Sequence, residues 1–161
     1  MNKAIFTTVI LLTVFLIGSC GGGKTNSESN NTINQQTTST PTQSGYDPNR
    51  GEGKFNESNV QAGPLDVTMA ETGKAIAATK CNSCHKQSDE KLVGPGWKGV
   101  TERRRLAWIM NFITNPDPMI DKDPELQSQL EICLVRMPNQ NLSDNEARSI
   151  VEYMRQNDGV K

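Results

Sequence analysis

Apolar residues recur along the second half of the chain at the spacing of helices rather than of strands. In 68–80 (TMAETGKAIAATK), Met69 and Ile76 stand among small residues at helical intervals. Gly94-Pro95-Gly96 breaks the chain after Leu92-Val93 and forces a loop. Leu106, Ile109, Met110 and Ile113 then follow an i, i+3, i+4, i+7 pattern, with Thr101 placed to cap that helix and Pro116 and Pro118 to stop it near Asn115. Pro124 suits the first turn of a short helix carrying Leu126, Leu130 and Ile132. Ser143 and Glu146 form a capping box ahead of Ala147, Ile150, Val151 and Met154 on one face. No segment alternates like a strand, so the pattern predicts an all-α domain.

The first third has a different texture. Lys3 precedes an apolar stretch over 4–17, and Gly18-Ser19-Cys20 follows, which is the layout of a signal peptide whose core is short for a bilayer span. A transmembrane anchor is the competing reading, but no charged stop-transfer flank follows. The string LIGSC resembles the lipobox of bacterial lipoproteins, which implies cleavage after residue 19, lipidation of Cys20 and a tether that does not cross the membrane. Residues 20–45 are almost entirely Gly, Ser, Thr, Asn and Gln and cannot bury enough apolar surface to offset ordering entropy, so they read as a flexible polar tether. Tyr46, Phe55, Val60 and Leu65 are anchors that a linker does not need, and 46–65 reads as an irregular arm ahead of a domain over 66–161.

Cys81, Cys84 and His85 form the run CNSCH, and His85 is the only histidine among 161 residues. This is the attachment signature of a c-type haem: two thiols three residues apart can add to two porphyrin vinyl groups, and the next residue then lies under the iron. A structural zinc site would need four N or S ligands, and Cys133 alone could join these three. A dithiol redox pair would need a βαβ context that the flanking sequence lacks. Met137, followed by Pro138 and the polar run Asn139 to Asn141, is the methionine best placed to offer a thioether from a loop; Met119, after Pro118, is its rival.

CNSCH, LVGPGWKGV, WIMNFITNP and MPNQNLSDNEARSIVEYM, in this order and spacing, resemble the class I cytochrome c family of small bacterial monohaem electron carriers. The resemblance covers roughly residues 66–158. It implies thioether attachment of one haem c at Cys81 and Cys84, axial ligation by His85 and Met137, and a Pro95 carbonyl accepting the His85 imidazole N–H, which would orient the ring and raise its basicity. It also implies single-electron shuttling rather than bond chemistry, among redox proteins of the cell envelope (an oxidase, a reductase or a dehydrogenase), with the haem domain facing the periplasm. Where family members often place an aromatic in the first helix, this chain has Ala77, so the packing of Gly73 and Ala77 on the last helix, near Tyr153, must differ. Two alternatives stay open: a haem-based ligand sensor or weak peroxidase, if Met137 is not a stable ligand, and a zinc or dithiol module without haem.

A net charge of −1 excludes a generic nucleic-acid binder. Between Lys74 and Arg105, however, eight basic residues stand against three acidic ones, and from Asp117 to Lys161 nine acidic against five basic. Lys80, Lys86, Lys91 and Lys98 are thereby expected to ring the haem edge, where an acidic partner would dock. Trp97, Trp108 and Arg103 to Arg105 read equally as haem-edge or propionate contacts and as ordinary core and solvated helix start. Cys133 is expected to remain a thiol, incidental to the structure.

Overall fold

A computed structural model of the chain describes residues 45–161. The signal peptide over 1–19, Cys20 with its lipidation, and all of the polar tether except Gly45 lie outside the described residues. Among the described residues there are helices and no strand, and none of the helices is long and apolar enough to cross a membrane. Six helices follow one another: α1 (Val67–Lys80), α2 (Val100–Arg103), α3 (Leu106–Thr114), α4 (Pro116–Ile120), α5 (Pro124–Cys133) and α6 (Asp144–Asn157).

The first and last helices cross in close contact. Gly73 of α1 is buried where a Cβ would overlap the Ser149 carbonyl of α6, so a residue without a side chain lets the two backbones meet. Ala70 and Ala77, both fully buried, continue that small-residue face one turn to either side. Tyr153 packs edge-on against Trp97, with ring centroids 6.4 Å apart. The α6 start follows from its capping box: Ser143 Oγ accepts from the Glu146 backbone N–H, and the Glu146 carboxylate accepts from the Ser143 N–H at 2.8 Å.

Two starts differ from the sequence pattern. Thr101 does not cap the helix bearing Leu106; it lies inside the short α2, and the chain bends at Arg104-Arg105 before α3 begins. The reason lies far along the chain. Asp158, just past α6, accepts from Gly99 N–H (2.6 Å), Thr101 N–H (2.9 Å) and the Thr101 hydroxyl (2.7 Å), and so satisfies the α2 N-terminus from outside. The second difference is α4: α3 stops at Thr114, but Pro116 then opens a further turn instead of a loop. Met119 is thus a fully buried helical residue, not a loop methionine.

Residues 45–65 form no helix, yet Tyr46, Phe55 and Val60 are buried in the common core. Side chains rather than a ladder hold this arm. Asn111, 1% exposed, accepts from the Phe55 N–H and donates to the Arg50 and Phe55 carbonyls. Glu152, fully buried, accepts from the Asp66 N–H, Arg148 and Arg155, and those two arginines also donate to the Gln61 and Gly63 carbonyls. A buried carboxylate is tolerated here because its charge is paired and its lone pairs are filled. Tyr46 donates to Asp123 at 2.7 Å.

Gly73→Ala should weaken the α1–α6 crossing and destabilise the domain by about 1–3 kcal/mol, read as a lower guanidinium midpoint at constant slope. Tyr46 gives a pH signature. Burial first, then its hydrogen bond to Asp123 and the charge of that carboxylate, push the phenol above its ordinary range. The stability it confers is therefore complete below the unfolded tyrosine value near about 10 and drains away as pH rises toward the raised one. Unfolding at pH 8 and pH 11 should show the advantage of the wild type over Tyr46→Phe shrinking by about 1 kcal/mol at the higher pH.

Candidate functional site

The CNSCH run sits where α1 ends. Cys81 is the α1 C-cap, and the turn closes on itself, with the Cys84 and His85 N–H groups donating to the Cys81 carbonyl at 3.0 and 2.9 Å. The following loop folds back on that turn: Val93 and Gly94 N–H both donate to the Cys84 carbonyl, and Trp97 N–H donates to the Lys86 carbonyl. This return path brings the Pro95 carbonyl to 2.8 Å from His85 Nδ1. A carbonyl can only accept, so Nδ1 carries the proton and the lone pair of Nε2 is free. Trp97 backs the imidazole, with ring centroids 5.8 Å apart.

Cys81, Cys84, His85, Pro95 and Met137 all line one cavity of about 370 Å³. Its walls are Trp97, Ile109, Phe112, Ile113, Leu126, Leu142, Ile150 and Met154, contributed by α3, α5, α6 and the two loops. Met137 enters from the unhelical segment 134–142, whereas Met119 is not among the lining residues. A smaller adjoining space of about 110 Å³ is bordered by Val93, Leu130, Cys133, Val135 and Met137. Burial pushes the Cys81 thiol up to about 11, ahead of the opposing pull of Lys80. Cys133 is a free, half-buried thiol.

Two observations test whether these residues suit a haem. The donor set is two thiols, an imidazole with a free nitrogen and a thioether, facing an apolar cavity of ligand size. At the mouth, Arg103, Arg104 and Gln129 line the space. Arg104 stacks 4.2 Å over the Trp108 ring and pairs with Glu125 at 2.5 Å. The Trp108 indole N–H is buried and makes no hydrogen bond, although the Tyr46 oxygen lies close enough to feel it. The Arg103 and Arg104 guanidinium groups that line the cavity are cations of the right charge for porphyrin carboxylates. The residues fit the group.

A family model described as cytochrome c matches residues 70–158. The chain belongs to the cytochrome c family. Its cofactor is one covalent haem c, and haem-based electron transfer is the function such a domain carries. Among solved structures, a cytochrome c from Rhodothermus marinus is 35% identical, with a TM-score of 0.59 over 62% of this chain and 85% of that one. An engineered cytochrome c from the same organism is 34% identical (TM-score 0.58, 62% and 86%), and so is an engineered form bound to a carbene intermediate (TM-score 0.55, 62% and 86%). No curated protein sequence matches. The zinc reading finds no support, since no group of three or more His, Cys, Asp or Glu among the described residues could hold a metal ion.

The four lysines make specific contacts. Lys86 pairs with Glu90 at 2.6 Å, while Lys80, Lys91 and Lys98 donate to the Gln140, Ile132 and Asn157 carbonyls. Each of these last three therefore ties a haem-side segment to a distant part of the chain, which the charge count alone does not reveal. In the sequence Gly94 reads only as a chain breaker. In the structure a Cβ on Gly94 would overlap the His85 ring, with Nδ1 2.9 Å away. Its signal was the Gly-Pro-Gly triplet itself, whose middle carbonyl must approach an imidazole. Gly94→Ala should tilt or displace that ring: the holoprotein should keep its helical circular dichroism while its haem absorption and midpoint potential change from those of the wild type.

Proposed function

We propose that this chain is a monohaem c-type cytochrome that passes single electrons between redox proteins of the cell envelope and performs no bond chemistry of its own. The observation that carries the reading is the convergence of Cys81, Cys84, His85 and Met137 on one apolar cavity. Bound haem supplies a one-electron Fe(III)/Fe(II) couple. Cys81 and Cys84 would hold it by thioethers, His85 and Met137 would ligate its iron, and the methionine thioether would raise the potential of the couple. The Pro95 carbonyl, by accepting the Nδ1–H hydrogen bond, fixes the imidazole orientation and makes the Nε2 lone pair more basic. Arg103 and Arg104 would meet the carboxylates, and the apolar walls would limit the water around the haem and with it the reorganisation that accompanies a change of charge.

The domain organisation and setting belong to the same proposal: a lipoprotein signal peptide over 1–19, Cys20 as the lipidated residue of the mature chain, a polar tether to about residue 45, an arm over 46–65 and the haem domain from 66 onward. The supports are the LIGSC string and the polar composition that follows it. A double or triple acyl anchor holds stably where one chain binds only marginally. The haem domain would then be free to reach partners near a membrane surface. Lys91 and Lys98 leave net positive charge beside the site, whereas the charge of Lys86 is offset by Glu90.

Met137→Ala should leave haem attachment intact, bind CO rapidly in the ferrous state and lower the midpoint potential, while Met119→Ala should do none of these. The opposite result would exchange the two methionines in this reading. A pyridine haemochrome assay on the purified chain reports covalent haem directly.

A further inference from the structure

Residues 45–65 precede the stretch that matches the cytochrome c family, and they touch the haem domain at two informative places. The first is Asp123, 2% exposed. Its Oδ2 accepts from the Tyr46 hydroxyl at 2.7 Å, and its Oδ1 caps α5 by accepting from the Glu125 and Leu126 N–H groups at 2.9 and 3.3 Å. One carboxylate thus joins the arm to the start of α5. That helix supplies Leu126 and Gln129 to the cavity wall and Leu130 and Cys133 to the smaller space beside it, and it ends at Leu134, in a left-handed conformation (φ 59°), three residues before Met137.

The second place is Gly51, with φ +73°. It lies against Met119 and Trp108 so closely that a Cβ would stand 2.9 Å from Met119 Sδ and 3.3 Å from Trp108 Cδ1. Met119 belongs to α4, and α4 with the residue that follows it grips the Met137 segment. Arg136 donates to Asp117 Oδ1 at 2.7 Å and to Asp121 Oδ1 at 2.6 Å. The arm therefore bears on both supports of that segment, α5 from one side and α4 from the other.

We propose that the arm over 46–65 is a clamp on the Met137 side of the haem cavity, with Tyr46 as the positioning residue that keeps the thioether seated through Asp123 and α5. This rests on the reading of Met137 as an axial ligand. Losing the Tyr46 hydroxyl leaves α5 capped but unties it from the arm and strips a buried carboxylate of a donor. The states in which Met137 is unseated become more populated. A ligand that binds only when the thioether has left reports that population, because its apparent affinity scales with the competent fraction.

Imidazole is such a probe. The ferric full-length holoprotein is titrated with it at fixed neutral pH, following the absorption band near the red end of the visible spectrum that accompanies methionine ligation. Tyr46→Phe is expected to start with the wild-type band and to bind imidazole about tenfold more tightly. Thr101→Val, which removes one of the bonds to Asp158 at the start of α2 and makes no hydrogen bond to the arm or to 134–142, should lose stability and keep the wild-type affinity. If Tyr46→Phe does not accumulate, Asp123→Asn, which keeps an oxygen for the cap, should show a smaller tightening, about threefold. Wild-type affinity in the tyrosine or aspartate variant, or equal tightening in Thr101→Val, overturns the clamp. Met137→Ala separates the two readings. If it binds imidazole tightly and lacks the band, the ligand assignment stands whatever the arm does; if it keeps wild-type band and affinity, ligand and clamp fall together.

Discussion

The contact of two backbones at Gly73 and Ser149 sets the positions of everything that matters in this domain. Because α1 meets α6 without an intervening side chain, the C-terminal end of α1, with Cys81 as its cap, is delivered to the face of α6 that presents Ile150 and Met154. Apolar side chains of ordinary size would hold helix axes about 8–10 Å apart, and the CNSCH turn would swing away from its cavity. The two helices are far apart in sequence, so the site is assembled only when the ends of the domain find each other. Local helix formation supplies the parts, and this one long-range fit supplies their arrangement.

A second layer of order comes from polar groups that are buried yet satisfied. Glu152, Asn111 and Asp123 each collect donors or acceptors from a segment that has no regular structure of its own. Such groups contribute modestly to net stability, because desolvation offsets much of what their bonds return. Their effect is selective: each bond has one correct partner, and a slip of the arm by a residue would leave a buried carboxylate or amide unpaired. That is how 20 residues without a helix hold one path across α3, α5 and α6.

Much of the helical content was legible in the sequence because it rests on local rules. The Ser143–Glu146 box, the proline at the head of α5 and the i, i+3, i+4 pattern of α3 all act within a few residues. What the pattern could not contain was any partner from elsewhere in the chain. Thr101 looked like a cap because nothing local announced that Asp158 would satisfy that helix start instead. Pro116 and Pro118 looked like a terminator, although Pro116 can equally open a new turn. The attachment run was readable from spacing alone, whereas the service of Gly94 to the imidazole is a matter of packing space, which composition does not record.

The two sides of the cavity are built to different standards of permanence. On one side stand Cys81, Cys84 and His85, in a turn closed by backbone bonds at the end of a 14-residue helix. On the other, Met137 rides a segment without helix, held from outside by the exposed Arg136 fork and by Lys80 reaching the Gln140 carbonyl. Segments of this kind open at a lower free energy than the body of a domain. In the proposed arrangement, with thioethers on the first side and Met137 as the ligand on the second, such opening would change the coordination of the metal without releasing the cofactor. Retention and ligation would then be separable properties of this chain, and substitutions in nine residues, 134–142, would retune the second while leaving the first inherited.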